Sequence, residues 1–530
     1  MQNGGYLFHN GEIITLEPDV SPDALLTGGN TILATGSLQD MKKLAPPGTE
    51  LINLRGNVLL PAFTDTHTHF FEYAHKPYEI DLWQTTSLKD VEAVLQNYKK
   101  KMSEDIAWIG GNGWDLNLYP DSNNFNKHFI DIVFPDIPVA IKSKDLHSLL
   151  LNTAALRESG IDASTPQPPG GSIGLFPDGS PNGFLYESAL LLARKQITDL
   201  SEFLQRKALR QAIRYAHRVG LAAIHIMEDV ESYQALKKLQ KNGNKLRVCW
   251  HFPSKVLNEM IAQGITSYTG SEMMKIGGVK LFMDGSIGSH TAYMYDPYPG
   301  SYNYCGRLIL TPRKLYETIH KAAISGIASS IHAIGDRCCH IVAQTIARVN
   351  YETGSKLPHR IEHLQCVRPE DLDIIQQNGI YAALQPVHIK TDVYTIKKNW
   401  PTVEQFTYPF REMLNRKLAL GFGSDAPVET LNPFAGIYAA LERKYDNNPD
   451  EPSWMPSQKL TIMEALHGYT LGAARGSCSE HIRGSLKAGK LADMIVIENF
   501  RNQPNEFWLK AESLLTMVDG EIVYEAEKVR

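Results

Sequence analysis

The stretch Val58-Leu-Leu-Pro61-Ala-Phe-Thr-Asp65-Thr-His67-Thr-His69 is an apolar run that ends in two histidines with one residue between them. Side chains of an extended strand alternate faces, so His67 and His69 point the same way, and Asp65 shares that face. Two neutral imidazoles side by side at a strand's end can share one metal ion, at about 2.0 to 2.1 Å if it is zinc. An isolated His-x-His is as easily the polar face of a half-buried strand, so the rest of the chain has to decide.

The chain has 530 residues, enough for a barrel-sized core plus an accessory domain. Its 53 basic and 58 acidic residues leave a formal charge of −5, which suggests neither a nucleic-acid surface nor an acidic tail. The six cysteines (Cys249, Cys305, Cys338, Cys339, Cys366 and Cys478) show no C-x-x-C spacing, so no zinc knuckle or disulfide framework is indicated and a reducing cytoplasm fits. The first residues lack a signal-peptide pattern, and no run approaches the roughly 20 apolar residues of a membrane span. The expectation is a soluble, cytoplasmic protein with no nucleic-acid or membrane partner. A homodimer is expected as the commonest soluble assembly.

Outward from the opening stretch, residues 6 to 60 break into short β pieces between Gly, Asn and Asp-Pro-type turns, and the last fifty residues have the same grain. Segments 1–60 and 480–530 are therefore expected to pair into one small β-sandwich domain. The body, 61–479, alternates short apolar strands with helical patterns, the sign of parallel βα units. Nine strand candidates appear: 62–69, 139–142, 221–227, 247–252, 278–283, 327–333, 360–364, 381–385 and 418–424. An eight-stranded barrel has room for eight. The segment 139–142 is the one to set aside, because the long stretch between Phe71 and Leu221 far exceeds one βα connection. Residues 72–200 then form an inserted α/β subdomain after barrel strand 1.

With that strand removed, polar residues fall at strand ends in order. Strand 1 ends in His67 and His69, strand 4 carries Lys280, strand 5 ends at His332, strand 6 at His363 and strand 8 at Asp425. All six project into the C-terminal mouth, where barrel enzymes keep their chemistry.

At this point the chain resembles the metal-dependent amidohydrolase superfamily, in its YtcJ-like and N-substituted formamide deformylase-like branch. The likeness is carried by Asp65-Thr-His-Thr-His69, Gly111-Asn-Gly-Trp-Asp-Leu-Asn117, Pro168-Pro-Gly-Gly171 and Val279-Lys-Leu-Phe-Met-Asp-Gly-Ser286. It continues through His332-Ala-Ile-Gly-Asp336, Arg360-Ile-Glu-His363, Gly423-Ser-Asp-Ala-Pro427 and Gly484-Ser-Leu-Lys-Ala-Gly-Lys-Leu-Ala-Asp493. The resemblance implies a β-sandwich plus a distorted (β/α)8 TIM barrel holding one or two divalent metals, usually Zn2+. His67, His69 and Asp425 would hold the more buried ion, and His332 and His363 a second. An ammonium repels a cation, so Lys280 must be deprotonated or converted; in relatives with a strand-4 lysine the amine is carboxylated and bridges both ions. The plainer reading makes Lys280 an ion-pair partner of Asp284 or Asp425. Deaminase relatives place a glutamate three residues after the strand-5 histidine, where this chain has Gly335, so hydrolysis of an amide is favoured over ring deamination. Esters, lactones and cyclic amides stay open as substrates of the same site, as does a catalytically silent barrel. Asp425 is expected to be the catalytic proton shuttle.

Substrate contacts are sought in Trp114 and Asp115 of the Gly-rich insertion loop, in His147 after the inserted strand, and in His225, Asp284 and Gln385 near the ends of strands 2, 4 and 7. Trp114 reads equally well as a buried anchor of the insertion, and His225 as facing the core. Neither Ser286 nor Ser424 sits in a G-x-S-x-G elbow, and no phosphate-binding G-x-x-x-x-G-K-[ST] loop is present.

Overall fold

The computed structural model describes residues 4–18, 20–102, 106–143, 148–169, 171–187, 189–194, 200–288, 290–399 and 402–527. Eight strands form a parallel sheet in chain order: β1 (Phe63–Thr68), β2 (Leu221–Ile226), β3 (Arg247–Pro253), β4 (Met274–Phe282), β5 (Ser329–Ala333), β6 (Arg360–His363), β7 (Tyr381–Leu384) and β8 (Leu420–Phe422). Strands such as β2 are buried along their whole length, as expected where a parallel sheet is covered on both faces. The sheet closes at β8 and β1, where the Asp425 amide donates to the His67 carbonyl and the His69 amide to the Ala426 carbonyl, both at 2.8 Å. Gly423 permits that approach, since a Cβ there would lie 2.6 Å from Asp65 Oδ1 and 2.7 Å from the His67 nitrogen.

The opening apolar run is not one strand. Val58–Pro61 pairs antiparallel with Met494–Ile497 in a five-stranded sheet, and the chain enters the barrel only at Phe63. That sheet and a four-stranded one (Thr31–Gly36, Ala24–Gly28, Tyr6–His9, Glu50–Asn53) share a core including Phe8, Leu25, Leu59, Met494, Val496 and Leu515, drawn from both ends of the chain. The sandwich is tied to the barrel by Arg247 of β3, whose Nε and Nη2 donate to the two carboxylate oxygens of Asp493 at 2.6 and 2.9 Å. This bidentate pair accounts for the aspartate that ends the Gly484 to Asp493 motif.

The chain divides into two compact units, 1–70 with 212–530, and 71–211. The second contains a six-stranded sheet in the order Gly171–Leu175, Pro181–Glu187, Ser148–Leu151, Val139–Ser143, Ile109–Trp114, Ile80–Asp81. The ninth strand candidate belongs here and not in the barrel. Among the described residues no helix is long and apolar enough to cross a membrane.

Candidate active site

His67 lies near the end of β1, and His69 one residue beyond it. Their Nε2 atoms each stand 3.4 Å from Asp425 Oδ1, which β8 presents from across the closure. Asp65 joins the two strands from below: its Oδ1 accepts from the His67 and Ser424 amides, both at 3.0 Å. Burial pushes that carboxyl up to about 7.

The protonation of His67 follows from its partner. Glu362 on β6 is buried, and although burial alone would raise its carboxyl, Arg360 and His67 hold it well below the usual range. An ionised carboxylate only accepts, so His67 Nδ1 carries the proton it donates to Glu362 Oε2 at 2.6 Å. Burial, with Lys280 nearby, lowers His67 to about 4 and keeps the ring neutral, leaving the Nε2 lone pair toward Asp425. His363 is arranged similarly by Gln385, whose Nε2 donates to the Ala383 carbonyl and whose Oε1 takes His363 Nδ1–H at 2.9 Å. The His363 ring lies 4.5 Å from that of His332 and 4.8 Å from that of His67, centroid to centroid. His332 Nε2 bonds the Gly285 carbonyl at 3.1 Å, and burial lowers this ring to about 3.

Asp425 is the anion of the group. Burial would raise its carboxyl, but the neighbouring rings of His69, His67 and His363 hold it well below its ordinary value. Both Asp425 and His363 adopt left-handed backbone, φ 59° and 73°. Such conformations cost about 1–3 kcal/mol each in a non-glycine residue and gather at functional sites.

Lys280 has no carboxylate partner: its Nζ is buried without a hydrogen bond and lies 5.0 Å over the Phe282 ring. The ion pair with Asp284 or Asp425 that the plainer reading of Lys280 requires is therefore not made. Burial drives the amine down to about 8, against the raising pull of Glu362 and Asp425.

These residues pass a test of fit to a metal ion. Tetrahedral ligands about 2.1 Å from a zinc ion stand about 3.4 Å from one another, and that is the spacing of His67 Nε2 and His69 Nε2 from Asp425 Oδ1. His67 Nε2, Lys280 Nζ and Asp425 Oδ1 are buried polar atoms with no hydrogen-bond partner, a costly state unless something else engages them. Residues His69, His332, His363 and Asp425 line a cavity of about 420 Å³ whose apolar wall includes Phe282, Ile287 and Val428. That size suits a small organic molecule.

The residues proposed for substrate contact fare differently. Trp114 is a core anchor of the second unit, 4 % exposed, donating its indole N–H to the Ile141 carbonyl and packing on Phe125 and Phe184. Asp115 opens a turn in which its carbonyl accepts from the Leu118 amide. His147 lies outside the described residues. His225 faces the barrel interior, where Nδ1 accepts from Arg360 Nη1 at 2.6 Å. Asp284 is a backbone staple, accepting from the Tyr293, Ile334 and Gly335 amides at 2.9 to 3.1 Å. Gln385 is buried beside the site, where it orients His363.

Sequence reading missed Arg360, Glu362 and His388. The first two stand inside a quoted motif, and their signal is a charged i, i+2 pair on a strand otherwise read as buried. His388, in the turn Pro386–His388 after β7, has no spacing signal at all. Asp336 opens the helix Asp336–Thr353, where Oδ1 accepts from the Tyr295 amide and Oδ2 from Arg368 Nε, so no carboxylate takes the place left by Gly335. A Cβ at Gly335 would lie 2.2 Å from the Tyr293 carbonyl oxygen, which explains why no side chain is there.

A closed parallel barrel with imidazoles and a carboxylate converging on its C-terminal mouth defines a metal-dependent hydrolase. The chain belongs to the amidohydrolase family, whose model matches residues 50–524. Protein LONG AFTER FAR-RED 3 of Arabidopsis thaliana is 30 % identical over 98 % of this chain and 91 % of its own length. The putative amidohydrolase YtcJ of Bacillus subtilis (strain 168) is 29 % identical over 98 % and 99 %. The N-substituted formamide deformylase of Arthrobacter pascens is 24 % identical over 95 % of each chain. Among solved structures, an uncharacterized metal-dependent hydrolase of Pyrococcus horikoshii OT3 superimposes with a TM-score of 0.78 at 26 % identity, covering 93 % of this chain and 97 % of that one. The protein is thus a hydrolase of the class that acts on carbon–nitrogen bonds.

Proposed function

We propose that this amidohydrolase cleaves the amide-type bond of N-formyl or N-acyl amines, with Asp425 as proton shuttle. The observation that carries the reading is the trio of His67 Nε2, His69 Nε2 and Asp425 Oδ1, set at ligand spacing against a cavity of small-molecule size. The likeness to a formamide deformylase supports the choice of bond.

His67, His69 and Asp425 would hold one divalent ion, for which zinc suits the donor set. Lys280, His332 and His363 would hold a second. Carboxylation of Lys280 would turn an unpartnered buried amine into an anion able to bridge the two. Such an ion, when bound, lowers the pKa of water toward neutrality and polarises a carbonyl. The chain's own part is positional. Glu362 and Gln385 fix the rings of His67 and His363 with their outer nitrogens free. Asp425, ionised at neutral pH, accepts the proton of the attacking water and returns it to the departing nitrogen, which otherwise leaves as a poor anion. Phe282, Ile287 and Val428 give an apolar surface for the substrate's organic group. The six cysteines are all free thiols, which supports a cytoplasmic location.

The test is amine release from a panel of N-formyl, N-acetyl and longer N-acyl amines, with zinc or manganese restored and with a chelated control. Chelator-sensitive release is the expected result. Turnover of esters, lactones or cyclic amides with no amine release would transfer the reaction to those bonds, and no turnover of any would favour a silent binding barrel.

A further inference from the structure

One imidazole at the mouth is not needed for the ligand set. His388 is buried and lines the cavity beside His363 and Asp425. Its Nδ1 is held by the side-chain amide of Gln365, Nε2 to Nδ1 at 3.3 Å. An amide nitrogen only donates, so Nδ1 is the acceptor and the neutral ring carries its proton on Nε2. That Nε2 is buried without a hydrogen-bond partner. Asp425 Oδ2 stands 3.8 Å from it, beyond hydrogen-bond length.

The other acids near the cavity do not compete for this proton. Glu429 is paired with Lys390 at 2.6 Å, and Asp392 accepts from the Tyr408 hydroxyl. The Gln365 main chain is pinned beneath that side chain, its backbone carbonyl accepting from the Tyr408 amide at 2.8 Å. The result is a buried N–H with no partner of its own, beside the carboxylate expected to move protons.

We propose that His388 is a catalytic residue whose Nε2–H donates to the acyl oxygen of the substrate. It would stabilise the negative charge that grows there as the carbonyl carbon becomes tetrahedral. This inference rests on the reading of the site as one that hydrolyses a carbonyl compound, and it gives the strand-7 turn a chemical task separate from metal binding. It also restricts the substrate, which must present a hydrogen-bond acceptor on the β7 side of the reacting carbon.

Two measurements on the full-length, zinc-loaded protein test it. Imidazole 15N–1H correlation spectra, with His388 assigned by the signal lost in His388→Gln, should show the Nε2–H tautomer, and Gln365→Leu should move the ring toward a tautomer mixture. On whichever substrate of the panel the native enzyme hydrolyses, His388→Ala should lower kcat by about 10²–10³-fold with KM changed less than about threefold. Its zinc content should be that of the native protein. His388→Gln, which places an N–H near the same point, should recover most of the loss. An Nδ1–H tautomer, an alanine variant with native kcat, or one that loses its zinc would each overturn the assignment, the last by making His388 a ligand. A native protein that hydrolyses neither the panel nor esters, lactones and cyclic amides would overturn the hydrolytic reading, and the donor role with it, whatever tautomer is found.

Discussion

Two clusters of metal-ligand residue types lie in the same barrel and behave in opposite ways. At the mouth, His67, His69 and Asp425 bring their ligand atoms within 4.8 Å of one another, and in the interior His225, Cys249 and His251 do the same. The interior group already surrounds a cation. Arg360 donates from Nη1 to His225 Nδ1 at 2.6 Å and to His251 Nε2 at 3.3 Å, and from Nη2 to the Thr66 carbonyl at 2.7 Å. Its Nε and Nη2 reach Glu362 at 2.8 and 3.1 Å. A guanidinium already engages one ring nitrogen of each histidine, and its charge is neutralised by the carboxylate that in turn positions His67. The mouth group has no such internal cation, and its nearest amine, Lys280, is driven toward neutrality by burial. Spacing alone therefore does not make a metal site; the sign of the charge beside the cluster decides.

The comparison can be broken most sharply at the mouth. Asp425→Asn is expected to lower amide hydrolysis by about 10⁴-fold or more, since it removes a ligand and the proton shuttle together. His67→Ala should do the same through loss of zinc, read by metal analysis, while circular dichroism stays native. Full activity in either would remove the mouth cluster from the mechanism.

The interior is probed by Glu362→Gln, which leaves the Arg360 guanidinium buried without its carboxylate. Breaking a buried ion pair from one side costs about 3–5 kcal/mol, to be read by urea unfolding. The same variant should weaken zinc binding about 10–100-fold, because a ligand histidine loses the group that orients it. Unchanged zinc affinity would cut the proposed link between the two clusters.

Acid sharpens the contrast within the mouth. Burial lowers His67 to about 4 and His332 to about 3, below the ordinary imidazole value near 6.5. Both rings are neutral when folded, so their contribution to stability is present above the unfolded pKa and is lost as pH falls from 6.5 toward the folded values. Thermal melts of the chelated protein should therefore drop steeply between about pH 6.5 and 4. A flat profile would mean that these rings are not held neutral.

The smallest effect is expected from Cys249→Ala. It removes one candidate ligand of the interior group at a cost of about 1–2 kcal/mol for the cavity left behind. Zinc stoichiometry and kcat should be native. A variant that lost one equivalent of zinc would show the interior to be a metal site after all.

How much of this was legible beforehand depended on distance along the chain. The eight barrel strands could be read because short buried apolar runs are local, and the ninth could be discarded on connection length alone. His67, His69, Lys280, His332, His363 and Asp425 could be singled out because a parallel strand's C-terminal end is a position that sequence order identifies. Val58 to Phe63 misled, since an apolar run does not reveal that the sandwich takes Val58–Pro61 and the barrel begins at Phe63. The substrate contacts were the weakest reading for the same reason: a polar residue near a strand end looks alike whether it meets a ligand, as expected of Asp284 and Gln385, or a backbone amide and a neighbouring ring, as found.

The sequence by itself determined the order of the strands and the family, because alternation along a strand and burial of apolar runs act over a few residues. Only the tertiary structure decided which polar atoms have partners. Closing the barrel sets Ser424 against Asp65 across 359 residues of chain. It also folds Arg360 into a nest of imidazoles and leaves Lys280 with no carboxylate. A polar group's role depends on whether its hydrogen bonds are already satisfied, and the groups that satisfy them come from strands that only folding makes neighbours.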